Sequence, residues 1–402
     1  MIKIIVLTVR HLFCFILIVA VFSCENNKPV TKEIATIPVY VNQDSINKIR
    51  KEIKAAEKAV QLDALFKNKV KNEHFNGCVL IAQRGQIIYK NAFGFADYKT
   101  KEFLKINSAF QLSSTSKPFT ATAIMLLMDQ GKLKLTDNVQ KFFPDFPYPD
   151  ITIEMLLTHR SGLSNYIYFG ESYCDENNCY NGKTFDNNSV LEIMKCDKPA
   201  TYYAPNKKFG YCNTNYAILA SIVEKVSGYS FADFMEQNIF KPLGMSNTWV
   251  HIPKNNLANK NITLGHNAYG QIEKDTYADN VVGDKGIYST VEDVFLFDKA
   301  LYSEKILKKK TIEDAFTGYS NEHRGKRNYG YGWRLIDSGN GNKIVYHNGW
   351  WHGYNSIFFR RLSDQTTVIV LSNKDNRTIY RIEDILSIIN VSSNPVEVDI
   401  KL

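Results

Sequence analysis

The stretch Ser114-Thr115-Ser116-Lys117 decides how this chain is interpreted, because it places a hydroxyl and an amine three residues apart at the start of a predicted helix. The helical pattern covers residues 114–130 and ends at a glycine. Side chains three residues apart share one helical face, with Cβ atoms roughly 5 to 6 Å apart. The amine of Lys117 can therefore reach the hydroxyl of Ser114. A helix start also supplies unpaired N–H groups and partial positive charge.

A serine hydroxyl is a weak nucleophile until a base removes its proton, and lysine is ordinarily protonated near neutral pH. The pocket must therefore hold Lys117 in its neutral form, by burial or through a cationic neighbour. The same spacing recurs at Ser45 and Lys48, on an ordinary helical end. The structural alternative for Ser114 and Lys117 is a helix N-cap and a surface cation.

A second motif, Tyr211-Cys212-Asn213, precedes a strongly amphipathic segment at residues 215–226. Tyr211 can relay a proton as a phenol or phenolate. Asn213 can orient Lys117 and donate to a substrate carbonyl. The alternative for Tyr211 is a half-buried aromatic residue whose hydroxyl is satisfied.

A third motif, His347-Asn348-Gly349, follows a predicted strand at residues 344–346. Its backbone can border a cleft, and Gly349 permits close approach by a substrate. The N–H of Trp350 is a candidate second donor to an oxyanion. The alternative for His347 is a strand-end histidine that is hydrogen-bonded to backbone.

Patterns around these motifs predict a sheet built from both ends of the chain. An amphipathic helix is predicted at residues 45–70 and a hairpin at 78–82 and 87–89. Later strands are predicted at residues 344–346, 357–359 and 368–371, the last buried on both faces, with a closing helix at 382–389. Helical segments are predicted between them at residues 114–130, 151–159, 215–226, 231–239 and 291–301, and loops bordering the cleft at 166–185 and 251–280. We therefore predict an α/β (α+β) fold with an antiparallel sheet flanked by helices. Its hydrolase domain, residues 45–392, divides into a sheet lobe at about 45–113 and 286–392 and an inserted, mostly helical lobe at about 114–285.

The first residues have the features of an export signal. Lys3 and Arg10 precede an uncharged apolar run at residues 12–22, which is too short to cross a bilayer. Val21-Phe22-Ser23-Cys24 resembles a bacterial lipoprotein cleavage box. We expect a signal peptide at residues 1–23, lipidation of Cys24, a tether at 24–44 and a C-terminal tail at 393–402. The protein would then be exported and membrane-anchored on the periplasmic or cell-surface side. The alternative is an ordinary signal peptide with an incidental cysteine.

Composition excludes several other classes of protein. The 402 residues are 44% hydrophobic, which is enough to fill a core. The net charge is +8, but Lys and Arg are spread along the chain, so no nucleic-acid partner is expected. Seven cysteines suit export; Cys174 and Cys179 could form a disulfide, whereas Cys78 and Cys212 are predicted to be buried free thiols. Cysteine and histidine spacings do not fit a zinc site, so no metal or cofactor is expected.

As an ordered series, these motifs resemble the β-lactamase-related serine hydrolases. That group contains class C β-lactamases, D-alanyl-D-alanine carboxypeptidases, D-aminopeptidases and family VIII esterases. The resemblance spans about residues 75–375, and its matching stretches are residues 110–121, 156–163, 209–216, 242–245, 329–333 and 347–349. It implies a β-lactamase/transpeptidase-like fold with Ser114 as the acylated nucleophile. It also implies Lys117 and Tyr211 as the general-base pair, and the motif that begins at His347 as the strand facing the substrate.

Three positions depart from the family pattern. Ser113 stands where glycine is common and Cys212 where serine is usual, and both are interpreted as packing changes. His347 stands where penicillin-recognising members usually have the lysine of Lys-Thr-Gly. Histidine is charged at pH 7 only if its environment raises its pKa. This departure argues against efficient β-lactam hydrolysis.

The sequence therefore predicts a hydrolase that cleaves esters or amides through an acyl-enzyme. D-amino-acid peptides and acyl esters are the candidate substrates, so the expected partner is a small molecule or peptide. One alternative is a penicillin-binding or sensor protein that is acylated but does not turn over. Another is a surface carbohydrate-binding module, to which the pair Trp350-Trp351 would contribute. The oligomeric state is not predicted.

Overall fold

The computed structural model describes residues 43–177, 185–251, 261–322, 325–337 and 341–389. The predicted signal peptide, Cys24, most of the tether and the C-terminal tail lie outside these ranges. Gln43 and Asp44, predicted as the end of the tether, already belong to the first helix. The described residues from Gln43 onward belong to one compact unit.

A large antiparallel sheet takes its strands from both ends of the chain. The strands of the described residues are β1 (Gly77–Gln83), β2 (Gln86–Phe93), β3 (Phe95–Asp97), β4 (Glu102–Phe103), β5 (Phe110–Gln111), β6 (Trp249–Val250), β7 (Ile287–Ser289), β8 (Arg327–Tyr329), β9 (Arg334–Ile336), β10 (Ile344–Trp351), β11 (Tyr354–Arg361) and β12 (Thr366–Ser372). Seven of them form a sheet in the order β2-β1-β12-β11-β10-β9-β8. The other strands form the pair β3-β4 and a small sheet in the order β5-β7-β6. The hairpin near the N-terminus therefore pairs directly with the last strand.

Helices surround this sheet. The α-helices of the described residues are α1 (Gln43–Glu52), α2 (Ala55–Glu73), α3 (Lys117–Asp129), α4 (Ile153–Leu157), α5 (Tyr166–Asn177), α6 (Asn187–Cys196), α7 (Asn213–Ser227), α8 (Phe231–Met235), α9 (Lys241–Leu243), α10 (Val291–Ala300), α11 (Lys309–Ala315) and α12 (Glu383–Ile389). A 3₁₀ turn, Ser113–Ser116, leads into α3. None of these described helices is long and apolar enough to span a bilayer.

Alternate side chains of the central strands enter two separate cores. Ile369 and Leu371 of β12 pack into the core shared with α3, α7 and α10. Val368 and Val370 pack with α2 and α12 on the other face. Successive residues of a strand point to opposite faces, so a strand covered on both sides needs a continuous apolar run. The prediction that this strand is buried on both faces is confirmed.

Most predicted elements are confirmed, including the β1-β2 hairpin, the strands β10 to β12 and the helix α12. The single helix predicted at residues 45–70 is wrong, because Lys54 adopts a left-handed conformation with φ 52° and separates α1 from α2. The loop predicted at residues 166–185 is also wrong, because it begins with α5. Gly170 lies within α5, where the helix packs closely against two aromatic rings. A Cβ at that position would lie 2.8 Å from the Phe185 ring and 3.0 Å from the Tyr277 ring.

The cysteine predictions have different outcomes. Cys78 and Cys212 are buried free thiols, as predicted, and burial raises the pKa of both. Cys174 is buried on α5. Its proposed partner, Cys179, lies outside the described residues, so this disulfide stays a prediction.

Candidate active site

The nucleophile candidate lies on the turn between β5 and α3. Ser114 is half-buried, whereas Ser113, Thr115 and Ser116 around it are fully buried. Of the side chains in this turn, only that of Ser114 is partly accessible to solvent. The α-helix begins at Lys117 and not at Ser114 as predicted, since the turn Ser113–Ser116 is a 3₁₀ turn. The spacing still brings the Lys117 amine to 3.0 Å from Ser114 Oγ.

The amine of Lys117 lies among three oxygens in a fully buried position. Its Nζ is 3.0 Å from Ser114 Oγ, 2.9 Å from Asn213 Oδ1 and 3.0 Å from the Asp284 carbonyl oxygen. The amide and carbonyl oxygens can only accept hydrogen bonds, whereas the serine hydroxyl can also donate. When Lys117 is neutral, the Ser114 hydroxyl is therefore the one of these three groups that can donate to the nitrogen lone pair.

Tyr211 lies against this amine, two residues before the first residue of α7. Lys117 Nζ is 4.8 Å from the centroid of the Tyr211 ring. The same ring lies 4.4 Å from the His159 ring, centroid to centroid, and 5.2 Å from Arg334 Cζ. The two residues that the sequence analysis proposed as a general-base pair are thus neighbours, and two basic side chains contact the phenol ring.

His159 supports Tyr211 from the interior. His159 belongs to the matching stretch at residues 156–163, but its sequence context predicted no role for it. It is fully buried, and its Nδ1 accepts a hydrogen bond of 3.2 Å from the Cys212 N–H. Burial, followed by the positive charge of Lys117, holds its pKa well below the usual value, so the ring is neutral at pH 7. A neutral imidazole thus fixes the backbone next to Tyr211.

The strand motif passes directly beside the nucleophile turn. Thr115 Oγ1 donates a hydrogen bond of 3.5 Å to the His347 carbonyl oxygen. A Cβ added to Gly349 would clash with the Leu112 carbonyl oxygen and lie 2.9 Å from Ser113 Cβ. The sequence predicts that this glycine admits a substrate, whereas its closest neighbours are Leu112 and Ser113 at the start of the turn and Ser356 of β11. Gly349 therefore allows β10 to pack against the nucleophile turn.

His347 is neutral in this environment. It is fully buried, with Nδ1 2.8 Å from the Asn348 carbonyl oxygen and Nε2 3.1 Å from the Tyr329 hydroxyl. Because a carbonyl only accepts, Nδ1 carries the proton and Nε2 accepts from the phenol. Burial, then the charges of Arg334 and Lys117, hold the pKa of His347 well below its usual value. The position that is a lysine in Lys-Thr-Gly members supplies no cation here.

The other departures and the last strand position also have a structural setting. Ser113 has φ 51°, a left-handed backbone conformation that glycine adopts more readily than serine. The interpretation of Ser113 as a packing change alone is therefore wrong. Its Oγ is buried without a hydrogen-bond partner. Cys212 packs in the interior, and its Sγ donates to the Ser164 carbonyl oxygen at 3.5 Å. Trp350 is 44% exposed near the end of β10.

Arg334 is a site residue that the motif analysis missed. It is half-buried on β9, and its guanidinium carbon lies 5.2 Å from the centroid of the Tyr211 ring. Its Nε is buried and has no hydrogen-bond partner. Arginine stays charged at all ordinary pH values. The available sequence signal was a cation placed directly after the matching stretch at residues 329–333.

A buried charged group behind Lys117 was also missed. It consists of Asp284 and Lys285, with the Tyr166 hydroxyl between them. The available signal was the run Gly283-Asp284-Lys285-Gly286, two charged residues inside an otherwise apolar segment. Within the described ranges, no group of three or more His, Cys, Asp or Glu side chains is placed to hold a metal ion.

Comparison with known proteins places this arrangement in a family. The sequence model of the beta-lactamase family matches residues 62–391. The chain belongs to the beta-lactamase family. Members of this family are serine hydrolases, and similar relatives of the chain are penicillin-binding proteins. Penicillin-binding protein 4* of Bacillus subtilis is 36% identical over 343 residues, which cover 80% of this chain and 73% of the relative. Putative penicillin-binding protein PbpX of the same organism is 27% identical over 88% of this chain and 85% of the relative.

Solved structures of penicillin-binding proteins show the same fold. The octameric penicillin-binding protein homologue from Pyrococcus abyssi superposes with a TM-score of 0.69 at 26% identity, over 78% of this chain and 73% of that one. A penicillin-binding protein from Bacillus halodurans gives a TM-score of 0.69 at 22% identity, over 81% and 98%. The predicted β-lactamase/transpeptidase-like fold, with helices around an antiparallel sheet, is therefore confirmed.

Proposed function

We propose that this protein hydrolyses peptides that end in a D-amino acid with a free carboxylate, through an acyl-enzyme on Ser114. The observation that carries the proposal is the position of the Lys117 amine. It is fully buried and lies between the Ser114 hydroxyl and two oxygens that can only accept hydrogen bonds. A neutral amine in this position is the form that can take the proton of the Ser114 hydroxyl.

The proposed reaction has two steps. Ser114 Oγ attacks the scissile carbonyl carbon while its proton passes to Lys117. The N–H groups at the start of the helix and the Trp350 N–H stabilise the oxyanion. Collapse of this intermediate breaks the bond to the leaving amine, which takes the proton from Lys117 by way of Tyr211. Water, deprotonated by the same pair, then cleaves the ester on Ser114 and regenerates the free hydroxyl.

The position of Arg334 is an argument for a substrate that has a carboxylate next to the scissile bond. Because His347 is neutral, Arg334 is the permanent cation beside Tyr211. Its guanidinium has a buried Nε without a partner, and arginine binds carboxylates through paired hydrogen bonds. A D-amino-acid peptide offers such a carboxylate on its leaving group, and a simple acyl ester does not. We therefore favour peptides over acyl esters.

A second candidate is an acylatable protein that does not release its product. The names of the two relatives describe binding of penicillin and say nothing of turnover. Labelling of Ser114 in a one-to-one ratio without accumulation of product would favour this candidate over the hydrolase.

The cell-envelope location is part of the proposal. Export through residues 1–23 and lipidation of Cys24 would hold the enzyme near envelope peptides. Metabolic labelling with a lipid precursor, followed by membrane fractionation, tests this. Cys24→Ala should abolish both labelling and membrane association, and a variant that keeps both would contradict lipid anchoring.

The catalytic proposal is tested with the full-length protein and peptides ending in D-Ala-D-Ala, either with a free carboxylate or amidated. Ser114→Ala should abolish hydrolysis and labelling by a fluorophosphonate probe. Arg334→Met should lower kcat/KM for the free peptide by about a hundredfold, the loss of roughly 3 kcal/mol of charged hydrogen bonding, and change the amidated peptide little. Arg381→Met, an exposed arginine paired with Glu73, is the matched control. Undiminished labelling of Ser114→Ala would end the assignment, and equal losses on both peptides would end the role of Arg334.

A further inference from the structure

We propose that Lys285 and Asp284 form a buried charge pair that sets the pH at which Lys117 becomes a competent base. Both are positioning residues that act through Lys117. The inference rests on the proposed role of Lys117, and it adds a pair of groups that control its protonation.

The pair is enclosed and closely bonded. The side chains of Lys285 and Asp284 are 3% and 2% exposed, and Lys285 Nζ lies 3.7 Å from Asp284 Oδ1. Lys285 donates hydrogen bonds to the Tyr166 hydroxyl at 2.7 Å and to the Val281 carbonyl oxygen at 2.9 Å. The Tyr166 hydroxyl in turn donates to Asp284 Oδ2 at 3.1 Å. One phenol therefore links the cation to the anion.

Lys285 also packs against aromatic faces that exclude water. Its Nζ lies 5.0 Å from the Trp351 ring centroid and 5.3 Å from that of Tyr166. Burial lowers the pKa of Lys285, and the charges of Asp284 and Asp279 oppose that shift. The two carboxylates therefore help to keep Lys285 charged in a dry site.

This pair is joined directly to the base. The backbone carbonyl of Asp284 accepts the 3.0 Å hydrogen bond from Lys117 Nζ, and Lys285 is the next residue along the chain. The positive charges of Lys117 and Lys285 oppose each other. A second buried cation disfavours protonation of Lys117, and the carboxylate of Asp284 favours it. The charges of Lys285 and Asp284 therefore have opposite effects on protonation of the Lys117 amine.

The remaining groups around Lys117 contribute differently. The titratable groups near it are Tyr211, Tyr216, His159, His347 and Cys212, and Arg334 contacts the Tyr211 ring. Both histidines are neutral at pH 7, and arginine does not titrate in this range. The proposed proton relay uses Tyr211, so a change there would alter chemistry as well as charge. Lys285 and Asp284 can instead be altered one charge at a time without removing a group proposed to contact substrate.

The experiment measures the rate at which a fluorophosphonate acylates Ser114 between pH 5 and 10. Acylation needs no product release, so the measurement works for either candidate function. Lys285→Gln should move the midpoint of the acid limb to higher pH by on the order of one unit, because the opposing cation is gone. Asp284→Asn, which keeps the backbone carbonyl, should move it to lower pH. The double variant should return close to the wild-type midpoint.

Lys69→Gln is the matched control, because Lys69 is also buried but pairs with Glu73 and Asp384. It should leave the midpoint unchanged. A purely structural role for Lys285 predicts slower acylation at every pH with an unmoved midpoint, and that result would overturn the inference. If Lys285→Gln does not fold, as judged by circular dichroism, Asp284→Asn alone decides, and an unmoved or raised midpoint refutes the pair. Loss of wild-type labelling at Ser114 would instead refute the proposed function.

Discussion

Ser113→Gly is expected to stabilise the protein while leaving the nucleophile in place. Ser113 has φ 51°, and left-handed backbone costs a residue with a side chain about 1–2 kcal/mol. Its Oγ is buried without a partner, which costs about 1–3 kcal/mol more. Glycine removes both costs. It loses about 0.5–1 kcal/mol to the greater freedom of the unfolded chain and about 1 kcal/mol of packing. The expected net gain lies between about 0 and 3.5 kcal/mol, centred near 2 kcal/mol.

Urea denaturation of the wild type, Ser113→Gly and Ser113→Ala separates these contributions. Alanine removes the hydroxyl but keeps Cβ at the same φ, so the difference between the two variants measures the relief of backbone strain less the chain entropy and Cβ packing that glycine loses. Gln365→Gly, at an exposed residue with φ 49°, measures strain relief without a buried hydroxyl. Acylation of Ser114 by a fluorophosphonate should stay within a few-fold of wild type. A glycine variant less stable than the wild type, or no more stable than the alanine variant, would refute the reasoning.

Three other predictions follow from the packing and charge of the core. Gly349→Ala should slow fluorophosphonate acylation of Ser114 at least about a hundredfold, because the added Cβ would clash with the turn that carries the nucleophile. A displacement of about 1 Å at a reacting group can cost that much. An unchanged rate in a folded variant would contradict this prediction. Arg360→Met leaves the Asp298 carboxylate buried without its cation and should cost about 3–5 kcal/mol in urea denaturation. The double variant with Asp298→Leu should cost less, and a single-variant cost below about 1 kcal/mol would rule out a strong pair. Burial holds the pKa of His159 and His347 well below the usual value, so the unfolded chain binds protons first as the pH falls. Stability should therefore drop below about pH 6.5, by up to about 1.4 kcal/mol per pH unit for each histidine. The variant His159→Phe/His347→Gln should show a shallower drop in urea denaturation at pH 7, 6 and 5; an unchanged slope would disprove this assignment.

Local features of the sequence predicted much of the framework. The approach of Lys117 to Ser114 depends on one turn of helix, which residue spacing specifies. The strands β10 to β12 contain short continuous apolar runs at residues 344–346, 357–359 and 368–371, the pattern of strands in a sheet covered on both faces. The helix α5 was predicted as a loop, and its close packing at Gly170 is against rings that are distant in sequence, which local patterns do not reveal.

Residues that reach the site through long-range pairing were not predictable in this way. Arg334 lies beside the site because β9 pairs with β10 in the register that sets Arg334 opposite Tyr346. Lys285 lies behind Lys117 because the segment before β7 packs against α3 and α5. Neither register nor packing is encoded in the spacing of one short motif. The neutral charge of His347 likewise depends on neighbours from other elements.

The pairing of β1 with β12 has a consequence for the biogenesis of the protein. The β1-β2 hairpin is translated early. Its partner in the sheet, β12, is among the last segments to leave the ribosome. Until then, the turn carrying Ser114 lacks the β10 strand against which it packs. A nascent or prematurely terminated polypeptide would thus contain the reactive serine without an assembled catalytic centre. For a chain exported as proposed, such late assembly would also keep the polypeptide unfolded enough to pass through a narrow translocation pore before it gains activity.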